Sequence, residues 1–355
     1  MRVIRLTTLL DFGGQEQKYI SFVENTDKSP YNEYIFAAIG RGGYAEKKLI
    51  ENGCNVKIFN SNPKISNLNN IWILYKWFKT IKPNIVHTAA AEANFHGVIS
   101  AKLAGVKVII AEEIGIPKHS FLARIIFKLI YLFTDSVICV SKSVKDHLIK
   151  ISEISESKGK VIYNPASIKV SKVENNLSND FTIVCVGRLE KVKNQQVLIS
   201  AFSKIKDTNA KLILVGDGSD RDFLEDFIAH INLEERVKIT GFVSNPEFYL
   251  NQAHLFVLPS LSEGFGIAVV EAMLNSVPCL CSKVGGIPEF ITDSETGWLF
   301  DPNNESELIS KLNSIIETPY IDIKEIGVKG KSYVNNRFTP EIYKENIENL
   351  YRELS

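Results

Sequence analysis

Two doubly wound α/β domains in tandem are the fold that this 355-residue sequence predicts, and three observations lead to it. Short β-branched runs alternate with longer stretches of helical period, the alternation starts afresh midway, and a polar segment separates the two series. The first series of strands is read at Val3–Leu9, Val56–Phe59, Ile85–His87, Val106–Ala111 and Ser136–Val140. The second is read at Thr182–Gly187, Lys211–Val215, Arg236–Thr240, Leu255–Pro259 and Val277–Ser282. Between most neighbours lies enough chain for a helix, as parallel sheets covered on both faces require. Asn164-Pro165-Ala166-Ser167 carries turn chemistry and Ser171–Asp180 is polar, which sets a first domain at 1–165, a linker, and a second domain within 166–339. Thr339 as N-cap with Pro340 at the first helical position predicts a last helix over about 340–355, packed back on the first domain. In open α/β sheets ligands bind beyond the carboxyl ends of the strands, so two such domains are expected to face a central cleft.

Composition narrows the chemistry. With 45% hydrophobic and 23% charged residues and a formal net charge of zero, the chain reads as globular, and no overall field draws it to nucleic acid. The charge is uneven, however. Residues 1–165 carry 22 basic against 14 acidic side chains and the remainder 19 against 27. A first domain that meets an anionic partner would explain this, as would drift in surface composition. Five cysteines occur, of which only Cys279 and Cys281 are close together, so reduced buried thiols are expected rather than a zinc site. The Met1–Leu6 start lacks the apolar core of a signal peptide, and no window reaches the ~18–20 apolar residues of a membrane span. The expected location is cytoplasmic, with peripheral contact to the inner face of the membrane as the extension.

Three loops that follow strands carry the chemistry. After the first strand comes Asp11-Phe12-Gly13-Gly14-Gln15-Glu16, where paired glycines let backbone approach a ligand and a following helix offers its amides to phosphate; a plain turn is the other reading. The second domain opens with a strand ending at Gly187, then Arg188 and Lys193 within one loop, a forked and a mobile cation for phosphate oxygens. Third, Leu255–Pro259 runs into Ser260-Leu261-Ser262-Glu263-Gly264-Phe265-Gly266, and Ile267–Leu274 reads as a buried helix with a single charge, Glu271. A carboxylate among Ile, Ala, Val, Met and Leu is costly to bury alone, so Glu271 is expected to face a polar ligand, a partner or solvent. Glu263 precedes the helix start, where the N–H groups of Phe265, Gly266 and Ile267 favour an anion. Phosphates over that terminus and carboxylates accepting from sugar hydroxyls would suit a nucleotide-sugar.

Glu263-x7-Glu271 enclosing Gly-Phe-Gly resembles the signature of glycosyltransferase family 4, retaining enzymes of the GT-B fold with two Rossmann-like domains. Val186-Gly187-Arg188-Leu189 with Lys193-Asn194, Leu214–Gly218, Thr240–Val243, Gly285–Glu289 and Thr296–Phe300 follow in that family's order, as do Asp11–Gly14, Asn84–His87 and Thr134–Ser141 in the first half. The resemblance implies a transferase that moves a hexose or N-acetylhexosamine from a nucleotide-sugar, with UDP favoured, to a saccharide or lipid-linked saccharide in surface polysaccharide biosynthesis. It implies roles as well. Gly13 and Gly14 would meet the donor diphosphate, Arg188 and Lys193 would neutralise it, and Glu263 with the Phe265, Gly266 and Ile267 backbone would hold the sugar. Glu271 would take the ribose, and Gly241, Phe242 and Val243 would edge the base. No metal or other cofactor is implied, since two cations and a helix terminus replace it.

Departures from the family lie on the acceptor side. Ile114 stands where relatives often carry a histidine, and Val86-His87-Thr88-Ala89 lacks the second histidine of the common pattern. Gln15, His87, His96 and Glu113 are the remaining acceptor-side candidates. Two alternatives stay open: a UDP-sugar epimerase on the same architecture, and, on account of the missing histidines, a non-catalytic nucleotide-sugar or saccharide-binding protein. The segment 118–133 is strongly apolar with a narrow stripe at Ser120, Arg124, Lys128 and Tyr131; a packed core helix is the expectation, and contact with a bilayer the other reading.

Overall fold

The structure, a computed structural model, describes residues 1–11, 13–24, 32–166 and 180–355. Phe12 and residues 171–179 of the expected linker lie outside the described residues. The chain divides into two compact units, Met1–Pro165 with Thr339–Ser355, and Ala166–Phe338. In the first, strands β1 (Arg2–Thr7), β2 (Glu33–Ala38), β3 (Asn55–Ile58), β4 (Ile85–Ala89), β5 (Val108–Glu113), β6 (Ser136–Cys139) and β7 (Gly159–Val161) alternate with helices α1 (Gly14–Glu24), α2 (Tyr44–Glu51), α3 (Asn69–Ile81), α4 (Ala91–Ala104), α5 (Phe121–Leu132) and α6 (Lys142–Lys150). In the second, β8 (Thr182–Val186), β9 (Lys211–Val215), β10 (Val237–Ile239), β11 (Leu255–Leu258), β12 (Cys279–Ser282) and β13 (Trp298–Phe300) alternate with α7 (Gln195–Ser203), α8 (Arg221–His230), α9 (Glu247–Leu250) and α10 (Ile267–Leu274). Helices α11 (Glu305–Glu317) and α12 (Tyr320–Val334) complete this unit, and α13 (Pro340–Leu354) returns to the first.

Both sheets are parallel. Their orders, β3-β2-β1-β4-β5-β6-β7 and β10-β9-β8-β11-β12-β13, grow first to one side of the opening strand and then to the other. The central strands are buried along their whole length, with burial of every residue in β4, β5, β11 and β12; β11 is accordingly an unbroken apolar run, while β4 and β5 take His87, Thr88, Glu112 and Glu113 into the interior. Three strands were not legible beforehand: Glu33–Ala38, Gly159–Val161 and Trp298–Phe300. The last is only three residues long, and its pairing of Trp298, Leu299 and Phe300 with Leu280, Cys281 and Ser282 makes it a strand where the local pattern cannot.

One strand is shifted. The expected Val106–Ala111 is Val108–Glu113, because α4 ends in a left-handed Gly105 and the Val106 amide bonds back to the Ala101 carbonyl. The shift brings Glu112 and Glu113 into the strand, where alternation sends them to opposite faces. Glu112 is fully buried beside Lys18, which donates to Oε1, while His87 Nε2 lies 3.1 Å from Oε2 and Arg5 Nη2 lies 4.0 Å from it. Burial alone would raise the Glu112 pKa; Lys18, His87 and Arg5 outweigh it and hold the carboxyl well below the usual range. Burial holds the His87 pKa down to about 4, so the ring is neutral at pH 7, donates from Nε2 to the carboxylate and accepts from the Tyr351 hydroxyl at Nδ1, 2.7 Å away.

Helix α13 is tied to this cluster. Thr339 caps it through the Ile342 amide at 3.3 Å, and Tyr343, Ile347, Leu350 and Tyr351 form its buried stripe. Arg5 donates to the Tyr343 hydroxyl at 2.6 Å and rests 4.7 Å from the centroid of Tyr19. Helix α5 departs from expectation: only Phe127, Ile130 and Tyr131 are buried, so it is not a core helix. No helix among the described residues is long and apolar enough to cross a membrane.

The buried cluster generates a stability prediction. Glu112→Ala leaves Lys18 and Arg5 without their counter-charge in the interior and is expected to lower unfolding free energy by about 3–5 kcal/mol, measured by chemical denaturation.

Candidate active site

In a doubly wound sheet the strand order reverses beside the opening strand, and the loops leaving the two strands there diverge to opposite faces. In the second unit that point lies between β8 and β11, and the two loops are the ones that carry Arg188, Lys193 and Glu263. They are pinned to one another. The Leu261 amide donates to the Val192 carbonyl at 2.8 Å, and Lys193 Nζ donates to Glu263 Oε1 at 2.6 Å. The Ser260 hydroxyl donates to the same oxygen at 2.7 Å. Gln195 Nε2 holds the Arg188 carbonyl at 2.8 Å, while the Arg188 side chain is 58% exposed and pairs with Glu190 at 3.0 Å. A lysine ammonium has three donors, so Lys193 keeps capacity for oxygens of a ligand beyond Glu263.

Glu263 is buried to 9% relative exposure, so its orientation is set by the fold rather than by solvent. Gly285, at φ 56°, passes so close that a Cβ there would collide with the Glu263 carbonyl oxygen. The chain then enters α10 through Gly266 at φ 99°, a left-handed cap that only glycine adopts without strain. The first amides of α10 have no partner four residues back, and the helix dipole adds positive potential there. Phe265 is buried against Phe290 and Phe338, with centroids 5.3 and 5.1 Å away, so its side chain is committed to the core.

Glu271 lies one turn further along α10 and is partly buried. Among the described residues nothing donates to its carboxylate. Burial, and secondly the negative charge of Glu247 on α9, raise its pKa to about 7. Sequence reasoning missed Ser260 and Glu247; the first is a serine in a polar loop, and the second gains meaning only because α9 packs near α10. Gly241, Phe242 and Val243 follow β10, where Gly241 bridges to Gly216 and Phe242 is 49% exposed. Because the sheet is parallel, these loops all leave one edge, and the structure brings the predicted donor residues of this unit to a common rim.

The first unit has the equivalent point between β1 and β4. Gly13 and Gly14 open α1 there, with the Gln17 amide on the Gly13 carbonyl at 2.9 Å, and Gln15 follows in the first turn. Across from it, Ala90 opens α4 with φ 80° and ψ 154°, a region otherwise nearly reserved to glycine. The Thr8 hydroxyl reaches Glu92 Oε2 at 3.1 Å and ties the two loops. His87 and His96 are both fully buried: His87 in the charge cluster, His96 with Nε2 3.2 Å from the Lys64 carbonyl. Glu113 is 5% exposed, accepts from Asn94 Nδ2 at 3.0 Å and from the Tyr131 hydroxyl, and burial lifts its pKa to about 7.

The folded-state pKa of Glu271 lies above its reference of 4.5, so its contribution to stability is complete below about pH 4.5 and lost as pH rises through 7. Glu271→Gln should therefore match the parent near pH 4 and exceed it above pH 7 by roughly 2–3 kcal/mol, read from melting curves across pH. Ala90→Gly relieves the backbone at a small entropic cost and is expected to gain about 1 kcal/mol in the same measurement.

Comparison with known proteins now bears on this geometry. The model of glycosyl transferases group 1 matches residues 167–331, and that of glycosyltransferase family 4 matches residues 12–169. The chain is 30% identical over 203 residues to the N-acetylgalactosamine-N,N'-diacetylbacillosaminyl-diphospho-undecaprenol 4-alpha-N-acetylgalactosaminyltransferase of Campylobacter jejuni, over 56% of this chain and 55% of that protein. That match thus spans just over half of the relative's length. It is 27% identical over 313 residues to the UDP-Gal:alpha-D-GlcNAc-diphosphoundecaprenol alpha-1,3-galactosyltransferase of Escherichia coli, over 82% and 80% of the two chains. The crystal structure of Anabaena HepE in complex with UDP-glucose shares the fold at a TM-score of 0.86 and 22% identity, covering 99% of this chain and 100% of that one. Two parallel α/β units of this order, matched in succession by the two family models, place the chain in glycosyltransferase family 4, with the GT-B fold.

Proposed function

We propose that the protein is a retaining glycosyltransferase that moves a hexose or N-acetylhexosamine from a UDP-sugar to a lipid-linked saccharide in surface polysaccharide assembly. The observation that carries the reading is the Lys193–Glu263 pair at the β8/β11 switch point, just before the start of α10, the helix that carries Glu271 one turn further on. Arg188 and Lys193 would receive the donor diphosphate and stabilise the charge that grows on it as the glycosidic bond breaks, which is electrostatic stabilisation of a leaving group. Glu263, with one oxygen already held by Lys193 and Ser260, would turn the other to sugar hydroxyls. Glu271, whose carboxylate lacks a donor among the described residues, would accept from the ribose hydroxyls, and the Gly241–Val243 loop would border the base.

Support for the donor comes from neighbours of the same fold solved with UDP and UDP-glucose. Support for the acceptor comes from relatives whose names specify diphosphoundecaprenol-linked saccharides and capsular polysaccharide. Retention of anomeric configuration is carried by the family alone.

A thermal-shift panel of UDP, GDP and their sugars tests the donor: UDP species should raise the melting temperature and GDP species should not. Lys193→Ala should lower kcat/KM by about 10²–10³-fold, the scale of losing one charge-stabilising donor, and Glu263→Ala should abolish transfer. Normal turnover by either variant would sink the assignment. An epimerised nucleotide-sugar formed without acceptor would turn it toward an epimerase.

A further inference from the structure

A cavity of about 530 Å³ lies where β12 and β13 end, bounded on one side by α11. Its volume falls in the range of small-molecule sites, ~300–1,000 Å³. None of the residues assigned above to the donor lines it. Strand β13 is the edge of the second sheet, and its free side borders this space. The Lys283 amide donates to the Phe300 carbonyl at 2.8 Å, so Phe300 faces β12 and alternation turns the main chain of Leu299 and Asp301 outward. Both outward amides are taken. Leu299 donates to Asp293 Oδ1 at 2.7 Å and Asp301 to Glu307 Oε2 at 3.1 Å. A peptide strand would find this edge capped, which leaves side chains as the recognition groups.

Those side chains are of both signs. Lys283 and Lys311 supply two ammonium groups, and Asp293, Asp301 and Glu307 supply three carboxylates. Lys311 Nζ lies 3.2 Å from Asp293 Oδ1, and Asn303 donates its amide and its side chain to Asp301 Oδ1 at 2.9 and 3.2 Å. These bonds orient the carboxylates yet leave Asp301 Oδ2 and Glu307 Oε1 without a donor among the described residues. The Lys283 ammonium likewise has no acceptor among them. We propose that this cavity binds a neutral saccharide. Sugar hydroxyls donate to carboxylates and accept from ammonium groups at once, and the C–H face of a pyranose suits the apolar lining of Val284, Leu299 and Pro302. A phosphate or nucleotide fits less well, because the carboxylates outnumber the cations, and a metal ion would meet both lysines. The lining segment Lys283–Val284 runs into Gly285, whose backbone packs on the Glu263 carbonyl, so the cavity adjoins the donor site without sharing its residues. The inference adds a second sugar site, and its test needs no sugar transfer.

The full chain is titrated with D-glucose, D-galactose and N-acetyl-D-glucosamine under saturation-transfer NMR, and its UDP response is read by thermal shift on the same samples. At least one sugar is expected to bind with a dissociation constant on the order of millimolar, the scale for a ligand of this size in an open site. Lys283→Ala with Glu307→Gln should weaken that binding by about tenfold or more, and Asp301→Asn should weaken it independently, with melting temperature and UDP shift retained in both. Glu263→Ala should leave it unchanged. Absence of binding to all three sugars by the parent chain, or equal binding by the cavity variants, overturns the proposal. Loss of sugar binding in Glu263→Ala also overturns it and assigns the sugar to the donor site. So does binding of inorganic phosphate in place of sugar that Lys283→Ala removes, which makes the cavity an anion site.

Discussion

Reversal of strand order beside β1 and again beside β8 is the constraint from which the site arises. A parallel sheet sends every strand the same way, so its connecting loops leave from a single edge. Where successive helices pass to opposite faces the loops part, and the backbone there is not consumed by packing. In the second unit that opening lies between the loops of Arg188–Lys193 and Ser260–Gly266, and two hydrogen bonds close it into a rigid rim: Leu261 amide to Val192 carbonyl, and Lys193 to Glu263. The cations, the helix start and the carboxylates are neighbours because of topology, although some 70 residues separate Lys193 from Glu263. In the first unit the same reversal puts Gly13 and Ala90 on either side of the opening, and the strained backbone at Ala90 sits there and not in an ordinary turn.

Carboxylates show how far environment outweighs residue type. Glu112 and Glu113 are consecutive in β5, both deeply buried, and shifted in opposite directions. The strand alternation gives Glu112 a lysine, an arginine and a histidine as neighbours, and gives Glu113 an amide and a phenol. Counter-charges overcome desolvation in the first case; neutral hydrogen bonds do not in the second. Glu271 repeats the second situation on a helix, with Glu247 adding repulsion, while Glu263 is satisfied by Lys193 and Ser260. A carboxyl whose ionisation the fold opposes gains most from ligand hydroxyls. Burial of Glu271 therefore costs stability above the pH at which it ionises.

The polar interior of the first unit also explains why α13 belongs to it. Tyr343 and Tyr351 carry their hydroxyls to Arg5 and His87, so the last helix closes a network that the first strand opens. His87, a candidate by residue type, is occupied on both ring nitrogens by this task. The same unit leaves α5 half-packed, since a helix lying against a sheet can bury only one side however apolar the other is.

The amino-acid sequence alone determined the fold class, the strands of the central sheet positions, the start of α13 at Thr339-Pro340, and the loops of Gly13-Gly14, Arg188–Lys193 and Glu263–Glu271. These signals are local: runs of β-branched residues, turn residues and charges standing in apolar surroundings. Tertiary structure decided what depends on neighbours distant in sequence. Trp298–Phe300 became a strand through its partner β12, and β5 slid by two residues because the left-handed cap of α4 at Gly105 turns Val106 back onto the Ala101 carbonyl. Ser260 and Glu247 entered the site through packing, and the side of α5 left uncovered was fixed by which residues met the sheet. Periodicity reports that a residue is apolar or charged at a given spacing. Which atoms lie within a hydrogen bond of it is set only when the chain folds, because that distance depends on contacts the spacing does not encode.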